Sequence, residues 1–500
     1  MARLKQKSAW SLKQKIQGKE VVCWGAGRRL ENTCLDLQEL GLEKMINYIV
    51  DNNEAIWNTK RTICGIDIPV RSPEYLRKNI HRNTVLVISM DKVKSVFEQI
   101  QGYPELDNTP CFQYPVIRYR WANMWNWLFR MLPLRRAILF QGEGDSCENA
   151  MALYEYMGEH GLLEKYKVIW LCASPAQFKE NTNVKYINRK AEIADKKIWN
   201  AWRYNYYRYT CRYLMYENKF IQKYREQQIS IYLKHGTFML KNVKGKIVLP
   251  QNINHAICTS ENYAGLAAEQ ESIKKEKLLI CGSPRLDFLY REKHVLETLG
   301  MYQKGKKYVI WLPTMRQASF AKGRIDSLHR YSYGIPLMQS EDDFRYLNEE
   351  LKKLNYMLII KPHPRQDLSV YRIKECDHIL FISQAILDMH NFTVHSLMRE
   401  TDALISDYSS IAFDYMLLER PIAYTIDDLE EYKIGFSVEN PFHFMPGNKL
   451  EKIEDMIGFL QDIADGKDFY KEERHKIRDY IHQYQDCNNS ERFLKLIGLI

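Results

Sequence analysis

The stretch "SIYLKHGTFML", residues 230–240, carries a β-branched and aromatic run into His235-Gly236-Thr237. An imidazole titrates near neutrality and can take the proton of an attacking hydroxyl. Gly236 lets the backbone approach a ligand, and Thr237 offers a donor to a phosphate oxygen. Further along, "IIKPHPRQD" sets Lys361 and His363 after a second apolar run, with Pro362 and Pro364 stiffening the backbone around His363. "GSPRLD" brings Ser283, Arg285 and Asp287, and "LPTMR" brings Thr314 and Arg316. Arginine forks bind phosphate oxygens in bidentate fashion. "DALISDYSSIAFDYMLLERP" gathers Ser406, Asp407, Ser409 and Ser410 at the start of an apolar helix, where hydroxyls and free N–H groups cradle phosphate. Asp414, one turn on, suits a ribose or sugar hydroxyl. Each motif alone has a plainer reading, such as a serine N-cap or a solvated strand-end arginine. Their ordered recurrence favours phosphoryl chemistry, which relies on positioning and charge neutralisation.

Alternating strand and helix patterns place these residues. "AILFQGEG", "KVIWLC", "YLMYEN", "SIYLKHG", "HAICTS" and "KLLICGSPR" read as one series of strands. "YVIWLPTMR", "YMLIIKPHP", "HILFIS", "DALISDYSS" and "PIAYTIDD" read as a second, with "DDFRYLNEELKKL" as a helix between two of them. Ligands in parallel α/β sheets bind beyond the carboxyl ends of the strands, where His235, Arg285, Arg316, His363 and Asp407 all fall. The expected class is α/β, with two Rossmann-like lobes over 137–300 and 301–500. A small Rossmann-like domain over 1–112 and a basic-aromatic linker over 113–136 precede them. In the first domain Gly25 and Gly27 begin a G-x-G-x-x-G pattern whose third position is Leu30, with Asp51 where an acidic residue would meet a ribose. Dinucleotide binding and a tight turn without a ligand both remain open readings.

The net charge of +10 suits an anionic partner. The eleven cysteines form no C-x-x-C pair, which excludes zinc-ribbon and thioredoxin motifs and fits reduced thiols. No apolar run resembles a signal peptide or approaches the ~18–20 residues of a spanning helix, so a place on the cytoplasmic face of a membrane is expected. Attachment there is expected from "YPVIRYRWANMWNWLFRMLPLRR", residues 114–136, in which Arg118, Arg120, Arg135 and Arg136 flank Trp121 and Trp125. A helix packed on a core is the alternative. The basic-aromatic "WNAWRYNYYRYTCRYLMYENK" supports the membrane reading, and no nucleic-acid motif accompanies it.

The ordered series "KHGT", "GSPRLD", "LPTMR", "IKPHP", "SDYSSIAFD" and "RPIAYTIDDLEEY", spread from about 137 to 450, resembles the CDP-glycerol glycerophosphotransferase family of teichoic-acid primases and polymerases. That resemblance implies a GT-B arrangement of the two lobes. The first would carry the catalytic His235 and face the acceptor; the second would bind the CDP donor. It implies transfer of glycerol phosphate or ribitol phosphate from a CDP-alditol to a hydroxyl of a membrane-linked wall or capsular polymer, with release of CMP. His235 would be the base. His363, Arg316, Lys361 and Ser406, Ser409 and Ser410 would neutralise the phosphates. No cofactor is required, and a loosely bound magnesium ion is compatible. Two departures stand out: Lys234 replaces a common Trp, and "FMLKN" after Thr237 lacks a common Pro. A nucleotide-sugar glycosyltransferase on the same lobes, and a non-catalytic membrane-associated scaffold, are the competing readings.

Overall fold

The computed structural model describes residues 4–5, 16, 18–26, 30, 46–63, 66–89, 93–113, 125, 127–142, 148–172, 182–188, 198–217, 220–221, 223–238, 240–247, 249–250, 252–314, 331–363, 366, 371–372 and 376–500. It divides into two compact units, Met1–Pro133 with Lys190–Tyr209, and Leu134–Arg189 with Thr210–Ile500.

In the first unit, seven strands form a sheet in the order Leu4–Lys5, Cys111–Gln113, Thr84–Ile88, Glu20–Trp24, Ile46–Val50, Ile66–Arg71, Lys60–Ile63. All pairs are parallel except the last, a hairpin that the sequence reading missed. Its edge strand, Lys60–Ile63, has three polar residues before a single apolar one and so carries no strand signal. Gly25 turns the chain at φ 110°, a conformation other residues rarely adopt. Asp51 serves that turn directly: one carboxylate oxygen accepts from the Ala26 amide at 2.7 Å and the other from Asn53 at 2.9 Å. Gly27 lies outside the described residues. The same unit holds the helix Ile198–Thr210 as far as Tyr209. Phe129 is buried against Trp202 and Tyr206, with ring centroids 5.4 and 5.7 Å away.

The second unit contains two wholly parallel sheets. The seven-stranded one runs Val184–Asn188, Lys167–Cys172, Arg135–Gln141, Cys211–Tyr216, Ile229–Tyr232, His255–Cys258, Leu278–Ile280. The six-stranded one runs Ile379–Phe381, Tyr356–Ile360, Lys307–Trp311, Ala403–Ser406, Ile422–Thr425, Asn448–Leu450. Strands buried on both faces read as unbroken apolar runs, which is why "YMLII" and "AILF" signalled them so clearly. Each order reverses at its earliest full strand, Arg135–Gln141 in one sheet and Lys307–Trp311 in the other, opening a crevice at the strand ends.

One boundary moves. The last helix, Asn489–Leu496, lies in the range assigned by sequence to the second lobe, yet Phe493, Leu494 and Leu499 are buried in the core of the first sheet. Asp287 fastens it there, accepting from the Asn489 amide at 3.0 Å, its Nδ2 at 2.8 Å and the Ser490 amide at 2.9 Å. Capping contacts of this kind are worth about 0.5–2 kcal/mol. The fit demands a glycine at 282: its φ is +82°, and an added Cβ would lie 1.8 Å from Asn489 Oδ1.

Candidate active site

His235 follows the strand Ile229–Tyr232, which is separated by Cys211–Tyr216 from the strand where the first sheet reverses. The bend that presents it is a left-handed residue, Lys234, at φ 55°. For a side-chain-bearing residue this costs about 1–2 kcal/mol, and several anchors hold it. The Lys234 ammonium is buried 3.0 Å from the equally buried Glu271. Asn149 Nδ2 donates to the carbonyls of Leu233 (2.8 Å) and Lys234 (3.3 Å). Phe238 fills an aromatic nest of Tyr263, Phe413 and Phe444, at 4.9, 4.7 and 5.0 Å between centroids. Both departures from the family pattern are therefore structural: Lys234 has its own buried counter-ion, and "FMLKN" leads with a core aromatic.

Asn149 also accepts from Ser283 Oγ at 2.8 Å and the Arg285 amide at 3.0 Å, so one side chain ties the two motif loops together. Its helix, Glu148–Glu159, begins at the first sheet's reversal point. Glu217, from the neighbouring strand end, accepts the Asn149 and Ala150 amides at 2.9 and 3.3 Å. Burial, then the nearby Glu148 charge, pushes the Glu217 carboxyl up to about 8.

Arg285 and Asp414 form the hub. The guanidinium donates to the His235 carbonyl, to Asp414 Oδ2 at 2.6 Å and to Thr237 Oγ1 at 3.3 Å. Asp414 accepts in addition from Thr237 Oγ1 and faces His395 Nε2 at 2.9 Å. Burial is the largest influence on Asp414 and acts upward. Arg285, His395 and Thr237 together outweigh it and hold the carboxyl at about 2. His395 is fully buried, with its other ring nitrogen 3.6 Å from Glu148 Oε2. Glu148 Oε2 also lies 3.7 Å from the Arg285 guanidinium and retains 26 % side-chain exposure. Burial alone would raise the Glu148 carboxyl, but His395, Arg285, His235 and Lys361 together lower it.

This geometry sorts the sequence-selected residues. His235 is solvent-exposed at the rim of this hub. Desolvation by the surrounding protein, followed by the Arg285 charge, lowers its pKa below the ordinary histidine value. Thr237, Ser283, Arg285 and Asp414 come together, but as a buried scaffold with their polar groups engaged on one another. Gly236 is buried beside them. At the crevice of the second sheet, Asp407 Oδ2 accepts both the amide and the hydroxyl of Thr314 at 2.8 Å, joining the strand ends on either side of the reversal. Ser406 is turned inward, donating to the Leu312 carbonyl at 3.1 Å, so it does not face a ligand as the serine-cradle reading expected. Ser409 and Ser410 stay half-exposed at the head of Ile411–Tyr415. His363 is half-buried, whereas Lys361 is buried, which pushes its ammonium down to about 8 against the opposing pull of Glu148 and Asp388. Arg316 lies outside the described residues, as do Arg118, Arg120 and Trp121. Sequence reasoning missed Glu148, Asn149, Glu217 and His395. Glu148 and Asn149 follow a recognised strand after a glycine pair, a signal that was available; a lone histidine in "NFTVHSLMRE" offers none. Among the described residues no three His, Cys, Asp or Glu side chains converge as a metal site.

The chain matches the family described as CDP-glycerol:poly(glycerophosphate) glycerophosphotransferase over residues 127–499, and it belongs to that family. It is an enzyme of the CDP-glycerol glycerophosphotransferase type. Among similar proteins are the teichoic acid ribitol-phosphate polymerase TarK of Staphylococcus aureus, 26 % identical over 73 % of this chain and 69 % of that one, and the teichoic acid glycerol-phosphate primase of Bacillus subtilis, 28 % identical over 48 % and 55 %. In fold it is similar to the wall teichoic acid polymerase TagF, with a TM-score of 0.56 and 19 % identity over 76 % of this chain and 94 % of that one. A TagF variant soaked with CDPG gives the same TM-score at 18 % identity, over 82 % and 98 %.

Proposed function

We propose that this enzyme transfers an alditol phosphate, glycerol- or ribitol-linked, from a CDP-activated donor to a hydroxyl of a membrane-linked teichoic-acid or capsular polymer, releasing CMP. The two parallel sheets of the second unit act as GT-B lobes. The observation that carries the reading is an exposed His235 held on a fixed bend beside a buried Arg285–Asp414 hub. Relatives of both primase and polymerase name support the polymer class, and the CDPG-soaked TagF supports the donor class.

In this mechanism neutral His235 takes the proton as the acceptor oxygen attacks the donor's β-phosphorus. The bond from that phosphorus to the bridging oxygen breaks, and CMP leaves with the electron pair. His363, Lys361, Arg316, Ser409 and Ser410 meet the phosphate oxygens, so protein groups carry the neutralisation. Residues 125 and 127–132 support membrane attachment: Trp125, Trp127, Leu128, Met131 and Leu132 are exposed while Phe129 is buried, and Arg130 is exposed among them. Among the described residues no helix is long and apolar enough to cross a membrane. A panel of CDP-glycerol, CDP-ribitol, UDP-sugars and GDP-sugars, assayed with lipid-linked acceptor in the presence and absence of EDTA, tests the reading. CMP release confined to a CDP-alditol and indifferent to EDTA is expected; turnover of a nucleotide sugar alone would overturn it.

A further inference from the structure

Among the described carboxylates around His235, Glu148 is the one left loose. Asp414 is fully buried and engaged by Arg285, Thr237 and His395. Glu217 is spent on the first amides of the helix that Glu148 begins. Glu148 sits at 3.6 and 3.7 Å from His395 and Arg285, beyond hydrogen-bonding distance, with part of its side chain in solvent. It faces the same guanidinium nitrogen that donates to the His235 carbonyl. The buried Nδ1 of His395, which has no hydrogen-bond partner, points toward it.

We propose that Glu148 is a positioning residue for His235: its carboxylate supplies the negative charge that steadies the imidazolium formed as the acceptor hydroxyl gives up its proton. This inference rests on the phosphotransfer reading above. In that step the acceptor oxygen gains a bond to phosphorus, the bridging P–O bond breaks with its electrons leaving on CMP, and the proton resides on His235 until solvent removes it. Such a cation needs an anion near it when desolvated, and an anion free to adjust fits the need better than one already saturated. The charged groups acting on His235 come from four elements: Arg285 from Pro284–Leu289, Glu148 from its own helix, Asp414 from Ile411–Tyr415 and His395 from Val394–Arg399. Glu148 in turn is acted on by Lys361 and acts on Glu217. Glu148 and Asp414 raise the His235 pKa while desolvation by the surrounding protein, Arg285 and His395 lower it, so removing the Glu148 charge moves it down.

The test compares Glu148→Gln and Glu148→Ala with the parent. Glu217 already holds the helix's first amides, so both variants should melt close to the parent; two unfolded variants would make Glu148 a structural residue and overturn the proposal. Turnover with CDP-alditol should drop on the order of tenfold, a part of the 10²–10⁴ that base catalysis supplies, with donor Kd within about threefold of the parent by the same reasoning. The acid limb of kcat/KM should move to lower pH by about one unit, the size of a single close charge. The His235 ring resonance, identified by its loss in His235→Gln, should titrate lower by a similar amount in both variants, with no substrate present. An unmoved titration overturns the inference whether or not transfer is observed. Failure of the parent to use any CDP-alditol, with the titration displaced as expected, would instead fault the phosphotransfer reading.

Discussion

Asp414→Asn isolates the hub on which the site is built. The carboxylate is fully buried and receives Thr237, Arg285 and His395. A carboxyl held at about 2 rather than 3.8 stabilises the folded state by about 2 kcal/mol at neutral pH. The amide removes that and more, because one of its two groups becomes a donor facing donors, and the Arg285 charge is left without its buried anion. Breaking a buried pair in this way costs about 3–5 kcal/mol. The native pKa is depressed, so the stabilisation is fully present above the unfolded value. It is lost as pH falls through about 2. Urea unfolding followed by circular dichroism at pH 7 should show the full loss. Repeating it downward from pH 5 should show the parent converging on the variant between about pH 4 and 2, the interval between the unfolded and folded values. A deficit under about 1 kcal/mol at pH 7, or parallel acid dependence, would refute the claim that Asp414 holds the hub as an anion.

Other outcomes follow from the same geometry. His235→Ala should retain donor binding in calorimetry and lose about 10²–10⁴ in turnover, since the loss falls on the transition state; His363→Ala should lose both donor affinity and turnover. The kcat/KM profile of the parent should be a bell. It should rise below the usual histidine range, because the His235 pKa is lowered, and fall near pH 8 as Lys361 loses the charge that meets the donor. Gly282→Ala should destabilise by roughly 1–3 kcal/mol in urea unfolding, from positive φ and collision with Asn489. Replacing Arg118, Arg120, Arg135 and Arg136 by Gln should weaken co-sedimentation with anionic liposomes by about 1 kcal/mol for each residue at the surface, and salt should weaken it further.

What the sequence disclosed follows from where physical constraint is local. The strands of the two parallel sheets are continuous apolar runs, so "YVIW", "YMLII" and "ALIS" announced themselves. The edge strands Lys60–Ile63 and Val184–Asn188 did not, because an edge strand is half polar and its pairing partner, not its own composition, fixes it. The site divides in the same way. His235, Lys361 and His363 could be singled out because each sits shortly past a strand and has a residue type with few other uses there. The roles within the hub were not. Ser283, Arg285 and Asp414 look like ligand contacts in one dimension, and only their joint burial shows them holding one another. Glu148, Asn149 and His395 come from elements far apart in the chain, and their function exists only as charge and hydrogen bonding between those elements. A polar network of that kind specifies one arrangement because each member is costly to leave unpaired. His235 can therefore remain exposed and still be held in place: the groups that fix its backbone are bonded to one another beneath it, and its ring is left to the solvent.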